Sequence, residues 1–212
     1  MDKIIETLEK YRVVPVISLE DAAAALPLAD ALLEGGLPLA EITFRTAAAA
    51  EAIRILTEKR PELCIGAGTV LTAQNVGDAV KAGAVFGVAP GFNPETLEVA
   101  GEHHLPFIPG VCTPSEIEAA LTYNAAVLKF FPAGAMGGVA MLKAISAPYS
   151  HTGIRFMPTG GVSESNLAEY LAQPAVLACG GTWIAAKADI AEGRWSEIKD
   201  RCRRVAEIIK GV

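Results

Sequence analysis

Cysteine and histidine are scarce in this 212-residue chain, with four and three copies. Cys64, Cys112, Cys179 and Cys202 stand far apart with no Cys-x-x-Cys pair. That argues against a zinc motif or a disulfide framework and predicts reduced, buried thiols. No metal site is expected: His103 and His104 are adjacent and diverge on any helix, and His151 lies in a polar turn. Basic charge is in deficit, 18 Lys and Arg against 24 Asp and Glu. The net charge of −6 argues against a nucleic-acid partner, which would need a basic face. Arg201, Arg203 and Arg204 are interleaved with Asp200 and Glu207, so the stretch Lys199 to Lys210 reads as the solvated face of a terminal helix. Long apolar runs are missing too. Gly, Pro or a charge interrupts each one before membrane-spanning length, so no membrane partner is expected. The start, Met1 to Lys10, is patterned as an amphipathic helix and lacks the apolar centre of a signal peptide, which makes the cytoplasm the expected compartment. No Gly-x-Gly-x-x-Gly follows the first strand signal, removing the commonest dinucleotide site.

What is present is apolar material, 51% of residues. Short β-branched or apolar runs recur at Val13–Ile17, Leu39–Phe44, Leu63–Ala67, Val85–Val88, Pro106–Pro109, Val127–Phe131, Arg155–Pro158 and Ala175–Cys179, starting 20 to 28 residues apart. That interval suits a strand, a helix and two short loops. Helical patterns fill the gaps at Ala47–Lys59, Thr72–Lys81, Pro94–His103, Pro114–Leu121 and Glu164–Leu171, several opening on cap signals such as Thr113-Pro114 with Glu116. Pro27 predicts that the helix after the first strand is kinked or starts late. Eight such units and an extra N-terminal helix predict one α/β domain over residues 1–212, a (β/α)8 TIM barrel; an open doubly wound sheet is the rival.

Lys129 is the conspicuous residue, a single charge inside Val127-Leu128-Lys129-Phe130-Phe131-Pro132. An ammonium in a buried strand must find a partner or lose its proton. A neutral, desolvated amine is a nucleophile towards carbonyl carbon; the alternative is a structural lysine in an ion pair. Strand alternation puts Glu41, Thr43 and Arg45 on one face of the second strand, towards the barrel interior, with Ala40, Ile42 and Phe44 on the other. Glu41 could be a salt-bridge partner of Lys129 or Arg45, but several convergent polar groups point to a small anionic ligand. In the third strand Ile65, Ala67 and Thr69 share a face, and the glycines beside them admit close approach. Pro158-Thr159-Gly160-Gly161 and Cys179-Gly180-Gly181-Thr182 are expected to follow strands seven and eight, where barrels of this class bind phosphate through exposed amides.

Glu41-x-Thr43-x-Arg45-Thr46, Gly66-Ala67-Gly68-Thr69-Val70, Pro90-Gly91, Pro109-Gly110, Lys129-Phe130-Phe131-Pro132-Ala133, Pro158-Thr159-Gly160-Gly161 and Gly180-Gly181-Thr182-Trp183 occur in this order. Together they resemble the 2-keto-3-deoxy-6-phosphogluconate (KDPG) and 4-hydroxy-2-oxoglutarate (KHG) aldolase family, over almost the whole chain. The resemblance implies a metal-independent class I aldolase on a (β/α)8 barrel, commonly a homotrimer. It would cleave a phosphorylated keto acid to pyruvate and glyceraldehyde 3-phosphate, without a cofactor beyond the covalent Schiff base. It makes Lys129 the Schiff-base lysine and Glu41 the acid/base. Arg45 and Thr69 would hold the pyruvate carboxylate, Pro90 would shape the pocket and Phe131 would pack beside it. Gly160, Gly161, Gly181 and Thr182 would bind phosphate, with Thr159 and Gly180 in the same blocks counted among the substrate contacts. The sequence departs from the usual pattern at Ala89 (commonly Ser), Gly134 (often Glu) and Thr182 (commonly Ser), which bears on substrate preference. The same chemistry on KHG, the phosphogalactonate epimer or oxaloacetate, and a phosphate-binding barrel with a structural Lys129, are the other readings.

Overall fold

The computed structural model describes all of residues 1–212. Helix α1 (Asp2–Tyr11) buries Ile4 and Leu8 and leads into β1 (Val13–Ile17). There follow α2 (Ala25–Glu34), β2 (Leu39–Thr43), α3 (Ala49–Lys59), β3 (Cys64–Gly68), α4 (Ala73–Lys81), β4 (Phe86–Val88) and α5 (Pro94–Glu102). The fifth strand is broken into β5 (Phe107–Ile108) and β6 (Gly110–Val111), then α6 (Pro114–Thr122), β7 (Val127–Phe130), α7 (Gly138–Ser146) and β8 (Arg155–Phe156). The chain ends with α8 (Leu167–Leu171), β9 (Cys179–Gly181), α9 (Lys187–Ala191) and α10 (Trp195–Lys210).

All pairings are parallel, in the order β9-β1-β2-β3-β4-β5 and β6-β7-β8. Pro109 separates β5 from β6 because it has no N–H to give the ladder, yet its carbonyl still accepts the Lys129 N–H at 2.8 Å. Two hydrogen bonds close the ring between β8 and β9: Leu177 N–H to Phe156 O and Gly180 N–H to Pro158 O, both 2.9 Å. The expected (β/α)8 barrel is therefore what forms.

Local chemistry sets the helix starts. Thr72 and Asn93 accept from the amides of Asn75 and Glu95, and Thr113 with Glu116 forms a reciprocal capping box. Such caps are each worth about 1 kcal/mol. Ahead of α2, a single 3-10 turn at Ala22–Ala24 is capped by Asp21, which leaves Pro27 in the first turn, where its missing N–H does no harm. In α10, Ile198, Cys202 and Val205 recur at helical spacing and face α2, whose end at Gly35 leaves no room for a β-carbon against Cys202.

Four details differ from the sequence reading. The paired part of the eighth strand is Cys179–Gly181, not Ala175–Cys179, of which only Val176 bridges to β8. The glycines are strand residues because neighbours fill the space their side chains would take: a β-carbon on Gly180 would lie 2.2 Å from Thr159 Oγ1, and one on Gly181 2.0 Å from the Trp183 ring. Helix α7 starts behind Gly137 and Gly138, both at positive φ, with no side-chain cap to announce it. The terminal helix begins at Trp195, a turn before Lys199. Of the thiols only Cys179 and Cys202 are buried; burial pushes the Cys202 thiol up to about 12 and that of Cys179 higher, while Cys64 and Cys112 are half-buried. No helix is long and apolar enough to cross a membrane.

Candidate active site

Lys129 is the third residue of β7 and Glu41 the third of β2, on strands that face each other across the barrel. Lys129 is 4% exposed and Glu41 fully buried, and Lys129 Nζ lies 3.4 Å from Glu41 Oε1. A tight ammonium–carboxylate contact is about 2.7–2.9 Å, so the pair is in contact without being clamped. Glu41 Oε2 has no hydrogen-bond partner although it is buried. Buried polar atoms are nearly always paired, and an orphaned carboxylate oxygen marks a place where a proton, a water or a ligand atom is received. Lys129 Nζ also stands 5.5 Å from the centre of the Phe131 ring, which forms one wall of its surroundings.

The glycines of β3 do what strand alternation suggested. Gly66 lies under the Phe86 ring and Gly68 under the Glu41 side chain; a β-carbon at Gly68 would meet Glu41 Cγ at 2.5 Å. Just beyond, Thr69 has φ of 55°. A β-branched residue in the left-handed region costs about 1–3 kcal/mol and persists only where its surroundings impose it, often at binding sites. Gly110 of β6 makes room for the backbone of Pro90, just past β4, whose C and O would each lie 2.2 Å from a β-carbon there.

Towards the mouth, Thr43 Oγ1 donates to Ile17 O at 3.0 Å and accepts from Arg45 Nε at 3.1 Å. Arg45 is thereby held at the barrel end, away from Glu41. It lines a groove of about 460 Å³ together with Val16, Ser18, Glu20, Thr182, Ala185 and Lys187. Arg45 and Thr182, assigned on sequence to opposite ends of a ligand, thus share one opening.

The Gly160–Gly161 turn lies at the same end of the barrel, after β8. Both glycines have positive φ, 85° and 82°. Three carbonyls of the turn are tied back: Thr159 O to Ala133 N–H (2.8 Å), Gly160 O to Gly134 N–H (2.7 Å) and Gly161 O to Asn166 Nδ2 (3.0 Å). The N–H groups of Gly160 and Gly161 donate to no backbone carbonyl, so the turn presents donors rather than acceptors. Successive amides in this arrangement form an anion-binding nest. Thr159 is buried, with its hydroxyl on Met157 O, and serves as wall rather than ligand surface. Gly180 differs from expectation: its N–H is used to close the barrel on Pro158 O, and what it contributes is space for Thr159. Gly181 lies inside β9, opposite Pro15, and Thr182 is the first exposed group after it.

The structure therefore brings Lys129, Glu41 and Phe131 together, with Thr69 and Pro90 on neighbouring strand ends and Arg45, Gly160, Gly161 and Thr182 at the mouth. Asn166, which also accepts from Ser163 N–H at 2.8 Å and so fixes the glycine turn, was not singled out from sequence; an Asn four residues beyond Gly-Gly-Val is an ordinary loop signal. Ser18, Glu20 and Lys187 were missed because their segments meet only across the mouth.

Residues 4–201 match the family model described as KDPG and KHG aldolase. The 2-dehydro-3-deoxy-phosphogluconate aldolase of Haemophilus influenzae is 48% identical over 208 residues, covering 98% of this chain and 97% of its own. That of Treponema pallidum is 46% identical over 209 residues, 99% of both chains. A crystal structure of KDPG aldolase from Legionella pneumophila, with pyruvate captured at low pH as a covalent carbinolamine intermediate, is 40% identical with a TM-score of 0.90 over 95% of this chain and 97% of that one. Likeness of this extent in both sequence and backbone leaves one assignment: the chain belongs to the KDPG and KHG aldolase family.

Proposed function

We propose that this chain is a class I, metal-independent aldolase that cleaves 2-dehydro-3-deoxy-6-phosphogluconate reversibly to pyruvate and D-glyceraldehyde 3-phosphate. The observation that carries the reading is the buried Lys129–Glu41 pair at 3.4 Å with the second Glu41 oxygen unpartnered. Glu41 takes a proton from the Lys129 ammonium, and the freed amine attacks the C2 carbonyl of the keto acid. Glu41 supplies the proton that lets the carbinolamine hydroxyl leave as water, and an iminium forms. The iminium nitrogen is the electron sink: Glu41, now a carboxylate, takes the C4 hydroxyl proton, directly or through one water. The C3–C4 bond then breaks and its electrons reside in an enamine. The aldehyde departs, C3 is protonated, and water releases pyruvate from Lys129. Because the electrons flow to nitrogen, no Lewis-acid metal and no cofactor is needed.

Arg45 and Thr69 hold the carboxylate, Pro90 and Phe131 bound the pyruvate pocket, and Gly160, Gly161 and Thr182 receive the phosphate. The turn geometry supports that last role, since its carbonyls are tied back and its amides are left. Gly181 supports Thr182 from within the strand. The reading makes the whole of 1–212 one aldolase domain. It places the reaction in the Entner–Doudoroff route of carbohydrate metabolism and the protein in the cytoplasm, as a homotrimer.

Borohydride reduction in the presence of pyruvate tests the chemistry. One reduced pyruvate should be found on Lys129 by peptide mass mapping, and a folded sample with no adduct there overturns the proposal. Chelator treatment should leave turnover unchanged. The family description also covers KHG, so a steady-state comparison of KDPG with KHG decides the physiological keto acid.

A further inference from the structure

The proposed substrate has two anionic ends, a carboxylate and a phosphate carrying nearly two charges at neutral pH. The glycine turn and Thr182 offer the phosphate only neutral donors, and Arg45 is assigned to the carboxylate. One other cation lines the mouth. Lys187 is the first residue of α9 and borders the same groove as Thr182 and Arg45. Its Nζ lies 2.8 Å from Glu20 Oε1, and the two side chains are 68% and 59% exposed. Glu20 comes from the segment after β1 and lines the groove as well. An ion pair this exposed contributes little to stability. Its position is another matter, since it puts an exposed ammonium and its counterion together in the groove that Arg45 and Thr182 also line.

We propose that Lys187 is the phosphate-recognising cation of this aldolase, and that it exchanges Glu20 for the substrate phosphate on binding. The exchange makes Glu20 a competitor with the ligand. Lys187 favours phosphorylated keto acids, and Glu20 limits how tightly they bind. An unphosphorylated keto acid such as KHG does not reach this pair, so the pair acts on discrimination and leaves the chemistry at Lys129 alone. The inference rests on the aldolase reading above and names a specificity determinant within it.

Steady-state kinetics on wild type, Lys187→Met and Glu20→Gln, each with KDPG and KHG, provides the test. Losing a charge-assisted contact to phosphate should lower the kcat/KM ratio of KDPG to KHG by roughly 10- to 100-fold in Lys187→Met, mainly through the KM for KDPG. Glu20→Gln should lower that KM by roughly two- to fivefold, since an exposed pair no longer has to be broken. Raising the salt concentration should erode the wild-type ratio towards that of Lys187→Met. An unchanged ratio in Lys187→Met, or an equal loss on both substrates, overturns the assignment; an unchanged or raised KM in Glu20→Gln overturns the exchange. Borohydride trapping of pyruvate on all three proteins separates the two levels. Trapping with an unchanged ratio defeats this inference alone, whereas absence of trapping in folded wild type defeats the aldolase reading itself.

Discussion

Glu41 lies across Gly68 so closely that a β-carbon at Gly68 would come within 2.1 Å of its Oε1. The carboxylate reaches across the barrel to Lys129 only because β3, the neighbour of its own strand, supplies no side chain at this point. The register places Thr43 opposite Gly68, and Glu41 opposite Gly66, so the acid leans along its own strand direction into the gap that Gly68 leaves.

Gly68→Ala should displace Glu41 from Lys129. The overpacking should cost about 1–3 kcal/mol of stability. The misplaced acid should lower kcat by about 10²-fold, within the range of general acid–base contributions. Urea unfolding and steady-state turnover measure the two effects, and wild-type kcat in this variant would refute the link between Gly68 and Glu41.

Lys129→Met should abolish both cleavage and pyruvate trapping. It also leaves the buried Glu41 without its cation, which should destabilise the protein by about 3–5 kcal/mol. Adding Glu41→Gln should recover much of that loss while activity stays absent. Denaturant midpoints of the single and double variants test this coupling. Glu41→Gln alone should retain slow pyruvate trapping on Lys129 with turnover reduced by about 10²- to 10⁴-fold.

Gly161→Ala should harm both stability and phosphate recognition. Gly161 has φ of 82°, and a β-carbon there would lie 2.9 Å from Gly134 Cα. The strain should cost about 1–3 kcal/mol. If the turn relaxes, its amides turn away, so KM for KDPG should rise while that for KHG stays near wild type. A thermal melt and parallel kinetics on the two substrates check it.

Asp189 in α9 predicts how the protein responds to acid. It is buried, and the Arg201 guanidinium, with Arg194 Nε at 2.8 Å beside it, holds its carboxyl below the usual carboxylate range against the opposing effect of burial. A carboxyl lowered by folding stabilises above its unfolded pKa, and that stability drains away as pH falls through the lowered value. Asp189→Asn should therefore destabilise the protein near neutral pH and less at about pH 3, where the wild-type carboxyl is already mostly protonated in the unfolded chain. Urea midpoints at the two pH values decide it; an equal loss at both would remove the charge from the explanation.

Periodicity and cap residues marked most of the elements. Thr113, Pro114 and Glu116 start α6 where their chemistry requires, and the apolar runs become strands because parallel strands are buried on both faces. The boundaries that shifted are those set by distant neighbours. Gly180 and Gly181 are poor strand formers in isolation and join β9 because Thr159 and Trp183 fill the space beside them. Helix α7 begins on two glycines, so nothing local signals it. Thr69, an ordinary strand residue by type, takes a left-handed conformation at the barrel mouth.

Sequence alone marked Lys129 and Glu41 as charges facing the barrel interior, because a lysine in an apolar strand and an acid on the inward face of another can be read from alternation and burial cost. It also narrowed the fold to a barrel or an open doubly wound sheet, since eight strand–helix units of regular length leave few ways to bury their apolar faces. The closing hydrogen bonds between β8 and β9 decided for the barrel. Tertiary structure decided the distances. That Lys129 meets Glu41 at 3.4 Å, that Arg45 is drawn up to Thr43, and that Glu20 and Lys187 meet across the mouth all depend on barrel closure and on glycines that leave room. Residues 88 and 167 positions apart come into contact only when the ring is complete, and no local pattern encodes the gap between them.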